Sequence, residues 1–182
     1  MGKNKKQIEF MKMYEEIHAS FVRYCKAKSY GIMDCKDLVN ETILRAFEGF
    51  DKLKNKDSFS SYLFNISSNI IKNELRKKYR NNNKVIINKE LHVENSSIQK
   101  FEIDLLYRAL AKLPDEQKEA IILFEISGYS IKEISEIHKS SVSAIKQRLK
   151  RGREKLALIL NVSEIEKEEL NGKSKILISL FF

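Results

Sequence analysis

Three sets of residues carry charge or hydrogen-bonding groups at spacings that could do chemistry. Asp34, Asp37 and Glu41 place carboxylates on one face of a helical segment. Lys72, Arg76, Lys77, Lys78, Arg80 and Lys84, against Glu74 alone, give the stretch from Lys72 to Lys84 a net charge of +5. Lys146, Arg148, Lys150, Arg151, Arg153 and Lys155, against Glu154, do the same further on. A paired-carboxylate nuclease site is one use for the acids, but such a site needs further acidic or His ligands converging from other elements. His18, His92 and His138 are isolated, and Cys25 and Cys35 have no metal-ligand partners at finger-like spacing. The expectation is a chain with no metal, no cofactor and no catalytic activity, working in a reducing compartment, the cytoplasm.

The elements that must hold these groups are helical. With 6 Gly, 1 Pro and no Trp in 182 residues, turn residues are too scarce for a strand-rich fold, and 42% hydrophobic residues are too many for a disordered polycation. A formal charge of +9 points to an anionic partner, and the one apolar block, Ile176 to Phe182, is far short of the about 20 residues that a membrane span needs.

Apolar residues recur at helical spacing in two clusters. In the first, Ile8, Met11, Ile17, Phe21 and Tyr24 predict a helix over Lys5 to Lys28. Val39, Ile43, Phe47 and Phe50 predict a second, and Phe59, Leu63, Ile66 and Ile70 a third from an N-cap at Ser58. A polar stretch from about Asn81 to Gln99 then reads as a flexible linker. The second cluster opens with Phe101 to Leu113, is stopped by Pro114, and resumes to Gly128. Ser130 caps a short helix, a turn follows at His138 and Lys139, and the series Val142, Ile145, Leu149, Gly152, Leu156 predicts a last helix. Its outer face carries Ser143, Lys146, Gln147, Lys150, Arg151 and Arg153, which is a helix-turn-helix with a basic recognition helix sized for the major groove.

Charge is segregated between these elements. Asp34 to Asp51 carries five acids against Lys36 and Arg45, a net of −3, and repels phosphates; a protein partner suits it better. The basic helices suit nucleic acid.

The combination resembles a known family. Asp34, Asp37-Leu38-Val39-Asn40-Glu41-Thr42, Ala46-Phe47 and Ser58-Phe59 through Tyr62-Leu63, Ile66 and Asn69 resemble region 2 of bacterial RNA polymerase sigma factors of the extracytoplasmic function (ECF) type. Leu113-Pro114, Gln117, Ala120, Gly128-Tyr129-Ser130, Glu133-Ile134 and Ile145-Lys146 through Arg148-Leu149, Arg151 and Arg153 resemble their region 4. Tyr62 stands where the family usually has Trp, and His138 and Lys139 where it has Leu-Gly. The resemblance implies an all-α chain: region 2 over 1–82, a flexible linker over 83–99, region 4 over 100–160, and a tail over 161–182 whose role it leaves open.

It also implies a function: binding core RNA polymerase and directing transcription from promoters with minus-10 and minus-35 elements. Asp34, Asp37, Leu38, Asn40 and Glu41 would dock on the β and β′ subunits of core polymerase. Lys54, Asn55, Tyr62, Asn65, Asn69, Lys72, Arg76 and Lys77 would hold minus-10 DNA, and Ser143, Lys146, Gln147, Arg148, Lys150 and Arg151 minus-35 DNA. Within the last set, Ser143, Gln147 and Arg148 are the expected base readers and the other cations phosphate contacts. An anti-sigma factor is a further partner that the family admits. The rival reading, a stand-alone helix-turn-helix regulator, has no use for an acidic docking helix beside a basic one.

Overall fold

A computed structural model describes residues 3–80 and 98–168, with side chains placed for 4–80 and 102–160. The linker assigned to 83–99 lies outside the described residues save for its last two positions, which open a helix, and of the tail only a backbone helix to Glu168 is described. Among the described residues there are seven α-helices and no strand.

The first domain is built from α1 (Lys3–Ser29), α2 (Cys35–Gly49) and α3 (Phe59–Arg80). Asp34 caps α2, its Oδ1 accepting the Lys36 amide at 2.7 Å. The buried line of α2 is Leu38, Thr42 and Ala46, running on to Phe50, one residue off the expected Val39, Ile43, Phe47 stripe, which is half-buried. Thr42 hides the pattern: its hydroxyl donates to the Leu38 carbonyl at 2.7 Å, so a polar residue is satisfied inside the core. Because α2 packs against both α1 and α3, two adjacent stripes are covered instead of one. Phe10 meets Phe50 and Phe59 edge to face at 5.3 and 5.4 Å, closing the far end of the bundle. The expected cap at Ser58 falls inside a 3-10 turn, Lys56–Ser58, and the side-chain cap comes earlier, from Asn55 Oδ1 to the Asp57 amide at 2.9 Å.

The second domain comprises α4 (Ile98–Ala111), α5 (Asp115–Ile121), α6 (Ile131–Ile137) and α7 (Val142–Glu168). Pro114 precedes α5, which runs into a π-helical turn over Ile122–Ile126; Gly128, at φ +84°, reverses the chain after it. Ser130 and Glu133 form a reciprocal capping box at the start of α6. Lys139 adopts φ +49°, the left-handed conformation that a glycine would take more cheaply. On α7 the expected inward series holds at Ile145, Leu149, Gly152 and Leu156 and continues to Leu160. Val142 departs from it, 42% exposed in the first helical turn, ahead of the point where α6 and α5 cover the helix.

The two domains touch. Their buried apolar residues form one continuous cluster, with α1 against the π turn and α3 against α6.

Gly152 marks the tightest approach inside the second domain: a Cβ there would stand 2.7 Å from Ile121 Cδ1 and 3.4 Å from Gln117 Cβ. Gly152→Val should destabilise the fold by about 1–3 kcal/mol through overpacking, lowering the thermal midpoint by several degrees. Calorimetry of wild type and variant checks this, and an unchanged midpoint would show that α5 and α7 can separate without loss.

Candidate nucleic-acid interface

On the acidic helix, Asp34, Asp37 and Asn40 are exposed and Glu41 is partly so. Arg45 already pairs with Glu41 at 2.5 Å and Asp34 caps the helix, so the face carries a mixed pair and a capping carboxylate beside the exposed Asp37. Leu38 is corrected: it is 0% exposed, because its side chain points into the bundle, and it has no surface for a partner. The apolar surface near these acids belongs to Leu44, 58% exposed, and Ile43, which with Gln7, Met11, Asn40 and Phe47 line a shallow groove between α1 and α2. Hydropathy along the chain could not tell Leu38 from Leu44; the direction of each around the helix could.

On α3, Asn65, Asn69, Lys72 and Arg76 are all exposed and step by four, three and four, so they form one stripe of amides followed by cations. Tyr62 leads this stripe but is half-buried, its hydroxyl donating to the Ala46 carbonyl at 3.3 Å, and burial raises its pKa despite the nearby Lys6. Lys77 lies off the stripe, paired with Glu74 at 2.6 Å. Lys54 and Asn55 stand exposed in the preceding loop, with the Asn55 carbonyl spent on its cap. Phe59 and Phe64, which precede the stripe, are core. Arg76 and Lys77 share with Glu41 and Arg45 a depression of about 380 Å³ between α2 and α3, so the acidic and basic faces meet along one edge.

On α7, Ser143, Lys146, Gln147, Lys150 and Arg151 project into solvent. Arg148 is corrected as a base reader. Its guanidinium donates to Ser140 Oγ at 3.2 Å and pairs with Glu116 at 3.1 Å, which ties the recognition helix to the turn and to α5. Arg153 likewise leaves the outer face, bonded to Glu125 through Nε and Nη2 at 2.9 and 2.5 Å and lying over the Phe124 ring. Both have the reach of exposed cations in the sequence, and both have a carboxylate brought to them only by folding.

Between the domains lies a polar cluster that no spacing in the sequence announces. Glu119 Oε1 accepts from Tyr24 Oη and from Ser68 Oγ, each at 2.6 Å, while Lys28 Nζ stands 3.4 Å from its other oxygen and 2.7 Å from Asp115 Oδ1. The Lys28 side chain is 1% exposed. Burial pushes the Glu119 and Asp115 carboxyls up, but the Lys28 ammonium and, for Glu119, the Ser68 and Tyr24 hydroxyls outweigh it, so both titrate below their ordinary range. Burial first, and then the Glu119 carboxylate, drive the Tyr24 phenol well up. Arg23 reaches from α1 to the C-terminal end of the π turn, donating to the carbonyls of Ile126 and Ser127 at 2.9 and 3.1 Å. Ser20 meets Tyr129 at 3.0 Å, and Phe64 meets the same ring edge-on at 5.3 Å. Tyr30 hydrogen-bonds Asp104 and packs on Tyr107.

Comparison with known proteins places this geometry. Sigma-70 region 2 matches residues 13–81 and Sigma-70, region 4 matches residues 103–156. The ECF RNA polymerase sigma factor EcfG of Rhodopseudomonas palustris is 33% identical over 132 residues, covering 71% of this chain and 73% of the relative. This chain belongs to the ECF RNA polymerase sigma factors. SigW of Bacillus subtilis, another ECF sigma factor, is 27% identical over 139 residues, 69% of this chain and 74% of its own. Among solved structures, CnrH in complex with the cytosolic domain of CnrY aligns with a TM-score of 0.61 and 26% identity, over 86% of this chain and 90% of that one. The fold is also that of the sigma factor RpoE in complex with the anti-sigma factor NepR from Bartonella quintana, with a TM-score of 0.67 at 23% identity over 85% and 98% of the two chains.

As an ECF sigma factor the protein binds core RNA polymerase and directs promoter-specific initiation, and the stand-alone regulator is not favoured. The family is one of transcription factors and not of enzymes. No helix among the described residues is long and apolar enough to cross a membrane.

The two carboxylates paired with Lys28 set an acid limit. A carboxyl held below its unfolded value stabilises the fold above that value and loses the contribution as pH falls through the folded one. Stability supplied by Asp115 and Glu119 is therefore complete above about pH 4.5 and is lost below it. Urea denaturation between pH 3 and 6 should show a steeper acid loss for wild type than for Glu119→Gln, the variant being weaker by about 1–3 kcal/mol at pH 7. Parallel pH profiles would mean that the carboxylate is not charged in the fold.

Proposed function

We propose that the exposed acids of α2, Asp34, Asp37 and Glu41 with Asn40, dock this sigma factor on the β and β′ subunits of core polymerase, and that the groove beside Leu44 extends the contact. The division of labour follows the chain: residues 1–82 serve core binding and the minus-10 element, and residues 100–160 the minus-35 element. The observation that carries the reading is the placement of an acidic and a basic exposed face on adjacent helices of one domain, with a second basic helix on the other domain. Carboxylates at such a rim contribute orientation and on-rate more than affinity, which suits a factor that binds and leaves.

Asn65, Asn69, Lys72 and Arg76 form the minus-10 surface, with Tyr62 at its edge and Lys54 and Asn55 in the adjoining loop. Amides can read the edges of unpaired bases, and each base stacked on an aromatic face contributes about 1–3 kcal/mol. Lys77 adds charge nearby. On α7, Lys146, Lys150 and Arg151 hold phosphates, and Ser143 and Gln147 read base edges. Arg148 serves by fixing the helix. An anti-sigma partner of the kind named for RpoE is consistent with this arrangement, and the protein acts in the cytoplasm without chemistry of its own.

Run-off transcription with purified core polymerase tests the reading: the chain should confer promoter-specific transcripts, and Asp37→Lys with Glu41→Lys should weaken competition for core while helix content stays nearly intact, since exposed charges add little to folding. Normal competition by that double variant would sink the docking assignment.

On a library of randomised minus-35 elements, Lys150→Ala should lower activity alike for all sequences and reduce the salt slope by about one. Gln147→Ala should instead shift the preference at one base pair by about 1–3 kcal/mol if its contact is bidentate. Identical preferences for wild type and Gln147→Ala would show that this side chain only positions the helix.

A further inference from the structure

Lys54 and Asn55 stand exposed in a loop that leaves α2 at Phe50 and enters α3 at Phe59. The bonds inside this loop are local: the Leu53 amide donates to the Phe50 carbonyl at 3.1 Å, the Ser58 amide to the Asn55 backbone carbonyl at 3.3 Å, and Asn55 Oδ1 accepts from the Asp57 amide. They shape two 3-10 turns, Phe50–Lys52 and Lys56–Ser58, with Leu53 and Asn55 extended between them. Such bonds fix neither where the loop lies on the domain nor which way its side chains project. A side chain that reads a base needs its backbone held in advance, because every conformer that the free loop samples is given up on binding.

The first turns of α1 supply that hold from three positions on one helical face, Lys6, Glu9 and Phe10. Phe10 is buried and meets Phe50 and Phe59 edge to face, which pins the two ends of the loop. Just inside those ends, Lys6 Nζ donates to Asp51 Oδ2 at 2.6 Å, and Lys56 Nζ stands 3.3 Å from Glu9 Oε1. Aromatic faces back both cations: Lys56 Nζ lies 3.4 Å from the centre of the Phe50 ring, and Lys6 Nζ 4.8 Å from that of Phe47. The hydrogen bond from Lys6 is the first cause that holds the Asp51 carboxyl below its ordinary range. Lys56 is thereby turned back onto the protein, while Lys54 and Asn55 face solvent. Each pair alone is a modest surface contact, but the two together fasten a short loop whose ends are already pinned. Glu9 and Asp51 are acids, so neither holds a phosphate itself.

We propose, resting on the minus-10 reading of Lys54 and Asn55, that Lys6 and Glu9 are positioning residues for promoter recognition: by gripping Asp51 and Lys56 they strap the loop to α1 and fix the direction in which Lys54 and Asn55 meet the DNA.

Amide hydrogen exchange on the full chain, read by mass spectrometry, tests the strap without DNA. In Glu9→Gln and in Asp51→Asn the Leu53, Asp57 and Ser58 amides should exchange about two- to five-fold faster than in wild type, the range expected for loss of one exposed ion pair, with helix content by circular dichroism unchanged. Lys6→Glu should do the same, and Lys6→Glu combined with Asp51→Lys should restore protection. Transcription by the holoenzyme from a library of randomised minus-10 elements then reads the consequence. Asn55→Ala identifies the base position that the loop reads, and Glu9→Gln and Asp51→Asn should soften the preference at that same position by about two- to five-fold. Both variants remove negative charge from the neighbourhood of DNA, so a purely electrostatic role would instead raise activity alike on all sequences. Competition for core should stay at the wild-type level, since Gln7 and Met11 line the groove from the neighbouring face of α1. Unchanged exchange in both variants, or unchanged preference where Asn55→Ala shifts it, overturns the proposal. Faster exchange with no effect of Asn55→Ala removes the minus-10 reading of the loop and leaves the strap standing.

Discussion

The carboxylate of Glu119 is the constraint on which the arrangement of the two domains depends. It sits on α5 of the second domain and is held by groups from α1 and α3 of the first, Tyr24, Ser68 and Lys28. Three donors on two helices can meet one acceptor only if those helices are already packed together. The first domain must therefore be formed before the contact can be made, and the contact in turn fixes where α5 lies. Since α5 packs on α7 and carries the π turn, which packs on α6, the position of the helix-turn-helix follows from the same carboxylate.

Apolar packing provides stability within each domain, and polar contacts provide the relation between them. Phe10, Phe50, Phe59 and Leu63 close one core, and Ile121, Ile134, Ile145 and Leu149 close the other. The seam between them adds hydrogen bonds and one ion cluster to an apolar contact in which Phe64 meets Tyr129 and Tyr30 meets Tyr107. Hydrophobic burial is non-directional and hard to reverse in water, whereas a charged pair exchanges for hydration at small net cost.

The electrostatic surface shows the same economy. Acidic and basic faces occupy neighbouring helices of one domain without neutralising each other, because α2 turns Asp37 and Asn40 outward on one side and α3 turns Asn65, Asn69, Lys72 and Arg76 outward on another. Cations that do find carboxylates, Arg148 with Glu116 and Arg153 with Glu125, are spent on holding α7 in place. The first turns of α7 present to solvent a short row, Ser143, Lys146, Gln147, Lys150 and Arg151.

The helices and their order were legible from the sequence because helix formation is a local matter of apolar period and capping: Asp34, the Ser130 and Glu133 box, Pro114 and Gly128 all act within a few residues of themselves. The two clusters of charge, the helix-turn-helix and the family were legible for the same reason. What a periodic pattern cannot supply is the angle at which each residue meets its neighbours, so Leu38, expected at a surface, lies in the core, and Val142, expected in a core, lies at the surface. Nor could it say which cations are free, because the acids that claim Arg148 and Arg153 are distant in the chain and near only in space. The seam around Glu119 was the least legible part, since Tyr24, Lys28, Ser68, Asp115 and Glu119 read singly as ordinary helical residues. Only when tertiary packing removes water from around them does pairing become obligatory, and that desolvation is a property of the folded chain and not of any segment of it.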